Sequence, residues 1–203
     1  MIAVSLAPGC GTVIELMVFL GNPGREYENT RHNVAWRLAE ALSIFPSLEW
    51  KKKFKGTYAR RSFGSGAVYF LKPLTYMNGC GESVSSLMSF FGISAGKICV
   101  VHDEVELSFG RIDCRMGGGL AGHNGLRSVA GRLGTREFIR FRVGVSRPSR
   151  GSLSSYVLGR FSREEEEALP SLLAGTAQLL EGCLNAEYGE TAFLSLRKIS
   201  VID

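Results

Sequence analysis

Ile98-Cys99-Val100-Val101-His102-Asp103 is an uninterrupted apolar run that ends in two polar residues, a pattern typical of a buried central strand. Downstream, Arg111–Met116 is predicted as a second strand. Ile139–Val145 is predicted as a third, because apolar and basic residues alternate along it. Between them, Asn124–Leu133 has the apolar spacing of a helix, and Gly134 is placed to end it. This order of strands and helix indicates an α/β fold.

Strands and helices also alternate in the rest of the chain. In chain order the further predicted elements are a strand at 15–20, a helix from Arg31 that Thr30 caps, a basic loop or strand edge at 51–55, and a hairpin of strands 57–63 and 67–71. A helix at 83–91 follows and ends at Gly92. The last helix begins with a capping box of Ser162 and Glu165, and Pro170 is expected to kink or restart it. We expect one domain over residues 16–203, with a central mixed, mostly parallel β-sheet flanked by helices. Residues 1–15 would form an N-terminal extension.

Composition excludes several classes of protein. With 203 residues, of which 45% are hydrophobic and 21% charged, the chain is neither disordered nor fibrous. No apolar run approaches the roughly 18–20 residues of a membrane helix. The segment before Arg25 also lacks the basic residues of a secretory signal, so we expect a cytoplasmic protein. Five scattered Cys predict small buried side chains, not a disulfide framework or a zinc site.

The charge is unevenly distributed. The whole chain carries +5, but residues 108–163 contain eleven Arg and no Lys against Asp113 and Glu137, a net charge of +9. Concentrated Arg suits a polyanionic partner, because the planar guanidinium can bind two phosphate oxygens. A solvated surface that forms salt bridges with the acidic remainder of the chain is the alternative.

The three histidines lie in polar or glycine-rich surroundings. A lone His is more often structural than catalytic, but His32 falls in the first turn of a predicted helix and Asp103 ends the central strand. If these elements are neighbours, Asp103 can hold one ring nitrogen of His32 while the other takes a proton from water. The side chains of His32, His102, Asp103 and His123 could also bind a metal. No short-spaced ligand pair such as H-E-x-x-H supports that alternative.

Three asparagines, Asn22, Asn78 and Asn124, recur near predicted strand ends. Each amide can bind a peptide group or donate to an oxyanion, although Asn is also common in turns and caps. The glycine-rich segment 117–125 lacks the Lys-Ser/Thr of a nucleotide P-loop. It predicts a loop that needs positive φ angles or a close backbone approach to a ligand, and we expect it at the same sheet edge as the asparagines.

Several longer motifs occur in a fixed order. They are Leu20–Gly24 continuing through Tyr27 to Thr30-Arg31-His32-Asn33, Lys72–Asn78, Val101–Gly110 followed by Gly117–Leu126, Phe138–Pro148, and Tyr156–Phe161. This set resembles the bacterial-type peptidyl-tRNA hydrolases from about residue 16 to the final helix. The resemblance implies a monomeric esterase that splits the bond between a peptide and the terminal ribose of tRNA, on a single α/β domain without a metal or organic cofactor.

The resemblance also implies roles for particular residues. His32 would be the general base and Asp103 its orienting partner. Asn22 and Asn124 would hold the substrate and the water or the developing oxyanion, and Asn78 with Met77 would position the peptide. Tyr27 would contact the acylated end of the tRNA, His123 would shape the rim of the site, and Arg115 and Arg142 would contact phosphate. Arg140 shares a strand face with Arg142 and would extend a cationic wall if that face lined the cleft.

The chain departs from the family pattern in places. Phe19 and Ala121 stand where Gly is usual, and Gly79-Cys80 replaces a common Leu-Ser. None of these changes removes a proposed catalytic group, but Ala121 could alter the loop before His123. Two other functions stay open from sequence: a non-catalytic tRNA- or RNA-binding module that uses the Arg-rich region, and a metal-dependent hydrolase.

Overall fold

The computed structural model describes residues 13–63, 66–186 and 189–202. Outside the described residues lie residues 1–12 of the expected extension, which include Cys10, and residues 64–65 of the expected hairpin turn. Ile14 already packs into the core, with 2% of its surface exposed. The other four cysteines are buried and free, as the sequence predicts.

The described residues form a mixed sheet of eight strands. These are β1 (Leu16–Phe19), β2 (Lys51–Lys53), β3 (Gly56–Phe63), β4 (Gly66–Pro73), β5 (Ile98–Glu104), β6 (Arg111–Met116), β7 (Ile139–Gly144) and β8 (Ile199–Ser200), in the order β2-β3-β4-β1-β5-β7-β6-β8. The four central strands β4, β1, β5 and β7 are parallel. The outer strands β3 and β6 run in the opposite direction. The predicted mixed α/β architecture is confirmed.

Helices cover both faces of the sheet. They are α1 (Val34–Ala41), α2 (Cys80–Phe91), α3 (Asn124–Leu133), α4 (Leu153–Val157), α5 (Arg163–Asn185) and α6 (Gly189–Ser195), with short 3₁₀ turns at Arg31–Asn33, Phe45–Ser47, Met77–Gly79 and Ala95–Lys97. Residues of α1, α5 and α6 bury the apolar core on one face, and residues of α2 and α3 bury the core on the other. Alternate residues of β1 and β5 belong to opposite cores, because successive side chains of a strand point to opposite faces.

Most predicted helix ends are confirmed. Ser162 and Glu165 form the capping box at the start of α5. Gly92 and Gly134 end α2 and α3 in the left-handed region, both at φ 69°. Thr30 does not cap a helix through its side chain, which instead donates a hydrogen bond to the Tyr27 carbonyl at 2.8 Å.

Pro170 is expected to kink or restart the last helix, and α5 does not restart there: it runs through Pro170 as one helix from Arg163 to Asn185. Pro170 is exposed, so water can satisfy the carbonyl group that proline leaves without a donor. The expectation for the glycine-rich segment is wrong. The segment is expected at the carboxyl ends of the parallel strands, but it begins at their amino ends, because β6 runs antiparallel to β7. The Gly117 N–H bonds the Phe138 carbonyl just before β7 begins. The segment then returns along the sheet to bring His123 to the carboxyl ends of the parallel strands.

Candidate active site

One cavity of about 330 Å³ lies at the carboxyl ends of β1 and β5. Seven of the residues predicted for the site line it: Asn22, His32, Met77, Asn78, Asp103, His123 and Asn124. Residues of α4 also form part of the cavity wall. Tyr27 stands beside this cavity, with its ring 6.2 Å from that of Tyr76, a lining residue. Ligand sites of parallel sheets occur at this edge, as the sequence predicts.

His32 and Asp103 meet although 71 positions separate them in the sequence. The His32 Nδ1 lies 2.8 Å from Asp103 Oδ1, and both side chains are buried. The short 3₁₀ turn that carries His32 packs beside β5, which places the ring over the end of that strand. A carboxylate can only accept here, so Nδ1 carries the proton and Nε2 keeps its lone pair. That is the state of a general base awaiting a proton.

His123 approaches the same carboxylate oxygen from the other side. Its Nε2 lies 3.0 Å from Asp103 Oδ1, while its Nδ1 accepts the backbone N–H groups of Gly125 and Leu126 at the start of α3. A nitrogen that accepts these two bonds is unprotonated, so the proton of His123 is on Nε2 and points to Asp103. His123 is therefore a neutral helix cap that helps to hold the carboxylate.

The electrostatics fit these roles. Burial alone lowers the pKa of His32, but the charge of Asp103 and its hydrogen bond outweigh burial, and the pKa of His32 is raised above its usual value. Burial opposes ionisation of Asp103, yet the two imidazoles hold its pKa well below the usual range. Burial lowers the pKa of His102 well below its usual value, so that ring stays neutral. Asp103 is thus the fixed charge of the site, and His32 is the group that gains a proton.

Asn22 has its amide oriented by the protein. Its Oδ1 accepts the Met77 N–H at 2.8 Å, which leaves the Nδ2 donor for a ligand in the cavity. Sequence reasoning missed Asn33, which fixes the backbone of Asn22. The Asn33 side chain bonds both the N–H and the carbonyl of Asn22, each at 2.9 Å, and is fully buried. Asn33 follows His32 directly in the quoted motif, so one short segment positions the base and the amide donor.

Arg31 is a second residue that sequence reasoning missed. Its buried guanidinium lies 4.1 Å from the ring centre of Tyr156 in α4 and bonds Glu165 of α5 at 2.5 Å. The Arg31 backbone N–H also bonds the Gly159 carbonyl. Since α4 lines the cavity, Arg31 connects the segment of His32 to a second part of the cavity wall.

The two arginines expected to contact phosphate occupy different surroundings. Arg142 is buried, and its guanidinium bonds Glu104 at 2.8 Å and also Asp113. Arg140 is buried as well and bonds the Gly119 carbonyl at 2.6 Å, so these two residues present no open cationic wall. Arg115 is partly exposed and bonds Asp113 through Nε at 2.6 Å. Asn78 and Asn124 are exposed at the cavity.

The side chains of His32, Asp103 and His123 offer ligand atoms within 4.8 Å of one another, as a metal site would. Their hydrogen bonding does not suit a metal. A metal on His123 Nε2 would move the ring proton to Nδ1, where the N–H groups of Gly125 and Leu126 already point. The donor set as folded is arranged for protons.

The family model described as peptidyl-tRNA hydrolase matches residues 16–198. The chain belongs to the peptidyl-tRNA hydrolase family. It is 48% identical over 174 residues to the peptidyl-tRNA hydrolase of Treponema pallidum, covering 82% of this chain and 85% of that protein. Identity to the Listeria welshimeri enzyme is 38% over 169 residues, or 83% of this chain and 92% of that protein.

Solved structures agree with this assignment to the family. The crystal structure of peptidyl-tRNA hydrolase from Acinetobacter baumannii matches with a TM-score of 0.81 at 31% identity, over 93% of this chain and 97% of that one. A peptidyl-tRNA hydrolase complex with N-propanol matches with a TM-score of 0.80 at 33% identity, over 91% and 94% of the two chains. Among the described residues, no helix is long and apolar enough to cross a membrane.

Proposed function

We propose that this chain hydrolyses peptidyl-tRNA, cleaving the ester between a peptide and the 3′-terminal ribose of tRNA. The observation that carries the proposal is the pairing of His32 Nδ1 with Asp103 beside an oriented Asn22 amide. This arrangement supplies a base for water and a donor for the charge that develops on the ester carbonyl. Such an enzyme recycles peptidyl-tRNA that drops off the ribosome during translation.

In the first step, water attacks the carbonyl carbon of the ester. Its oxygen bonds that carbon while His32 Nε2 takes one of its protons, and the carbonyl electron pair moves onto oxygen. Asp103 stabilises the imidazolium that forms, because its carboxylate is already bonded to Nδ1. In the second step the bond from carbon to ribose oxygen breaks, and His32 returns the proton to that oxygen. The products are a free peptide and a deacylated tRNA.

The amides supply binding and charge stabilisation. The Nδ2 of Asn22 donates to the developing oxyanion, a contact worth about 3–4 kcal/mol at best. Asn124, exposed at the start of α3, holds the attacking water or the substrate. Asn78 and Met77 bind the peptide. Amide groups satisfy a peptide backbone whatever its side chains are, which suits an enzyme that must accept many peptides.

The rest of the substrate is RNA. Tyr27 contacts the acylated end of the tRNA beside the cavity, and the basic residues of the 108–163 region attract its phosphates. The resemblance to the family supports a monomeric enzyme that works in the cytoplasm, where translation takes place.

The test is cleavage of a purified peptidyl-tRNA by the wild-type chain and by His32→Gln, each in excess EDTA. Loss of the base is expected to lower kcat by about 10²–10⁴, while the wild type keeps its activity in EDTA. Thermal unfolding of the variant checks that it is folded. Cleavage by His32→Gln at the wild-type rate would refute the assigned base, and complete loss of wild-type activity in EDTA would indicate a metal-dependent hydrolase. Binding of tRNA without any cleavage would indicate an RNA-binding module.

A further inference from the structure

The edge of the sheet at β2 carries a cluster of aromatic rings that the active site does not use. Phe54, in the turn between β2 and β3, has its ring centre 5.2 Å from that of Tyr58 and 5.3 Å from that of Phe90. Phe91 stacks on Tyr69 of β4 at 4.1 Å and also contacts Phe54. Phe90, in the last turn of α2, keeps 60% of its surface exposed. A ring cluster that reaches the surface through an exposed phenyl group is a candidate contact surface.

Consecutive lysines make the same edge basic. Lys51–Lys53 form β2, and all of their side chains are exposed. The Lys53 Nζ lies 3.7 Å from the centre of the Phe90 ring, which joins the basic strand to the aromatic cluster. Among the described residues no carboxylate pairs with these lysines, since Glu82 of α2 bonds Lys55, beyond the strand. We call Lys51–Lys53 together with Phe54 and Phe90 the β2 surface.

The outer side of β2 is an unpaired strand edge. β2 is the last strand of the sheet and pairs with β3 on one side. No strand of the described residues pairs with its other side, so the backbone N–H and C=O groups there are open to a further strand. A second copy of this chain pairing edge to edge would set lysine against lysine, and like charges directly opposite each other are unfavourable. An acidic segment would set carboxylates against the lysines instead.

The arrangement of the rings favours a protein partner over RNA. RNA sites that combine basic and aromatic residues present free ring faces on which bases stack. Here Lys53 covers the Phe90 ring and Phe91 stacks on Tyr69, so ring faces are used within the cluster. β2 also contains no Arg, the residue whose planar group matches phosphate. An extended acidic peptide meets every feature, because its backbone can pair with β2 while its carboxylates meet the lysines.

We propose that the β2 surface binds an extended acidic segment of a partner protein, which adds a strand to the edge of the sheet. Lys51 and Lys53 share a face of β2, because alternate residues of a strand point the same way, and Lys53 places Phe90 on that face. The recognised segment therefore has carboxylates two residues apart on this face and an apolar side chain beside Phe90. The inference goes beyond the proposed function and does not depend on it.

The β2 surface is separate from the active site. In the sheet order β2 lies four strand spacings from β5, a distance of about 19 Å. Among the described residues that line the active-site cavity, none belongs to the β2 surface. A partner bound at β2 therefore leaves the cavity open to substrate.

The experiment measures binding of an end-blocked, fluorescently labelled peptide, Glu-Thr-Glu-Thr-Leu-Thr-Glu, to the full chain by fluorescence anisotropy. We expect Lys51→Gln/Lys53→Gln to bind it about tenfold more weakly and Phe90→Ser up to about fivefold more weakly, because these variants lose charged and aromatic cross-strand pairs. Lys198→Gln is the matched control, because Lys198 is an exposed lysine outside β2, and it should bind as the wild type does. The kcat and KM for peptidyl-tRNA should be the same in the double variant as in this control.

Equal peptide affinities of the double variant and Lys198→Gln would overturn the inference. Undiminished binding of the same peptide methylated on alternate backbone nitrogens would also overturn it, since a methylated strand cannot pair with β2. If the peptide does not bind the wild type and the double variant binds tRNA more weakly, the surface is an RNA contact and the inference is refuted. The measurement requires no cleavage, so its failure is distinguishable from failure of the proposed hydrolase activity.

Discussion

Replacing Asp103 by Asn removes the charge of the site while keeping its shape. In the wild type the same oxygen, Oδ1, accepts from His32 at 2.8 Å and from His123 at 3.0 Å. The amide oxygen of Asn can accept both bonds, so the two imidazoles keep their tautomers. What is lost is the negative charge that favours the imidazolium form of His32.

The expected size of the effect follows from that charge. With the Asp103 and His32 charge centres about 4 Å apart and an effective dielectric constant near 20, the attraction is about 4 kcal/mol. Since about 1.4 kcal/mol corresponds to a factor of ten, kcat should fall about 10³-fold. The pKa of His32 should fall as well, because burial lowers it and Asp103 no longer opposes burial. A base must be neutral to act, so the acid limb of kcat/KM should move to lower pH.

The assay is release of labelled peptide from peptidyl-tRNA between about pH 5 and about pH 9. Glu106→Gln is the matched control, because Glu106 follows the same strand but is exposed and bonds Arg147 at 3.1 Å. The control should keep the wild-type profile. A kcat for Asp103→Asn within tenfold of the wild type, or an acid limb at the wild-type pH, would refute the reasoning.

Three further changes test other parts of the structure. Asn22→Asp keeps the oxygen that accepts the Met77 N–H but loses the Nδ2 donor, so kcat should fall about 10²–10³-fold. A change in KM alone would contradict the oxyanion role. His123→Ala should lower the free energy of unfolding in urea by about 1 kcal/mol and His123→Asn should recover most of it, whereas equal stabilities would disprove the helix cap. Gly81→Ala should lower the free energy of unfolding in urea by about 1–3 kcal/mol, because the added Cβ would lie 2.1 Å from the Ser128 carbonyl oxygen. A Cβ at Gly131 in α3 would meet open space, so Gly131→Ala should raise the free energy of unfolding by up to about 1 kcal/mol. A lower free energy of unfolding for Gly131→Ala would count against this packing argument.

Local signals in the sequence predict much of the fold. The bounds of β6 and α3 match the predicted ones, because alternation, capping residues and Gly134 act within a few residues. The direction of each strand depends on distant partners, so the antiparallel course of β6 and the resulting position of Gly117 could not be predicted. The continuation of α5 through Pro170 depends likewise on which face of the helix is exposed.

The candidate site shows the same division. Residue types and motifs indicate His32, Asp103 and Asn22, and the structure brings all three to one cavity. The surroundings of Arg142 could not be predicted, because its partners Glu104 and Asp113 lie 38 and 29 positions away in sequence. An alternating strand shows that Arg142 shares a face with Arg140 but not whether carboxylates cover that face.

The central claim is that His32, protonated on Nδ1 by its bond to Asp103, acts as the base through Nε2. Nitrogen-15 NMR of the imidazole rings across the pH range, set beside the acid limb of kcat/KM, tests it most directly. We predict that neutral His32 carries its proton on Nδ1 and that it titrates above the ordinary value of about 6.5, with the same pKa as the kinetic limb. A neutral His32 protonated on Nε2, or a titration separate from the limb, would contradict the mechanism.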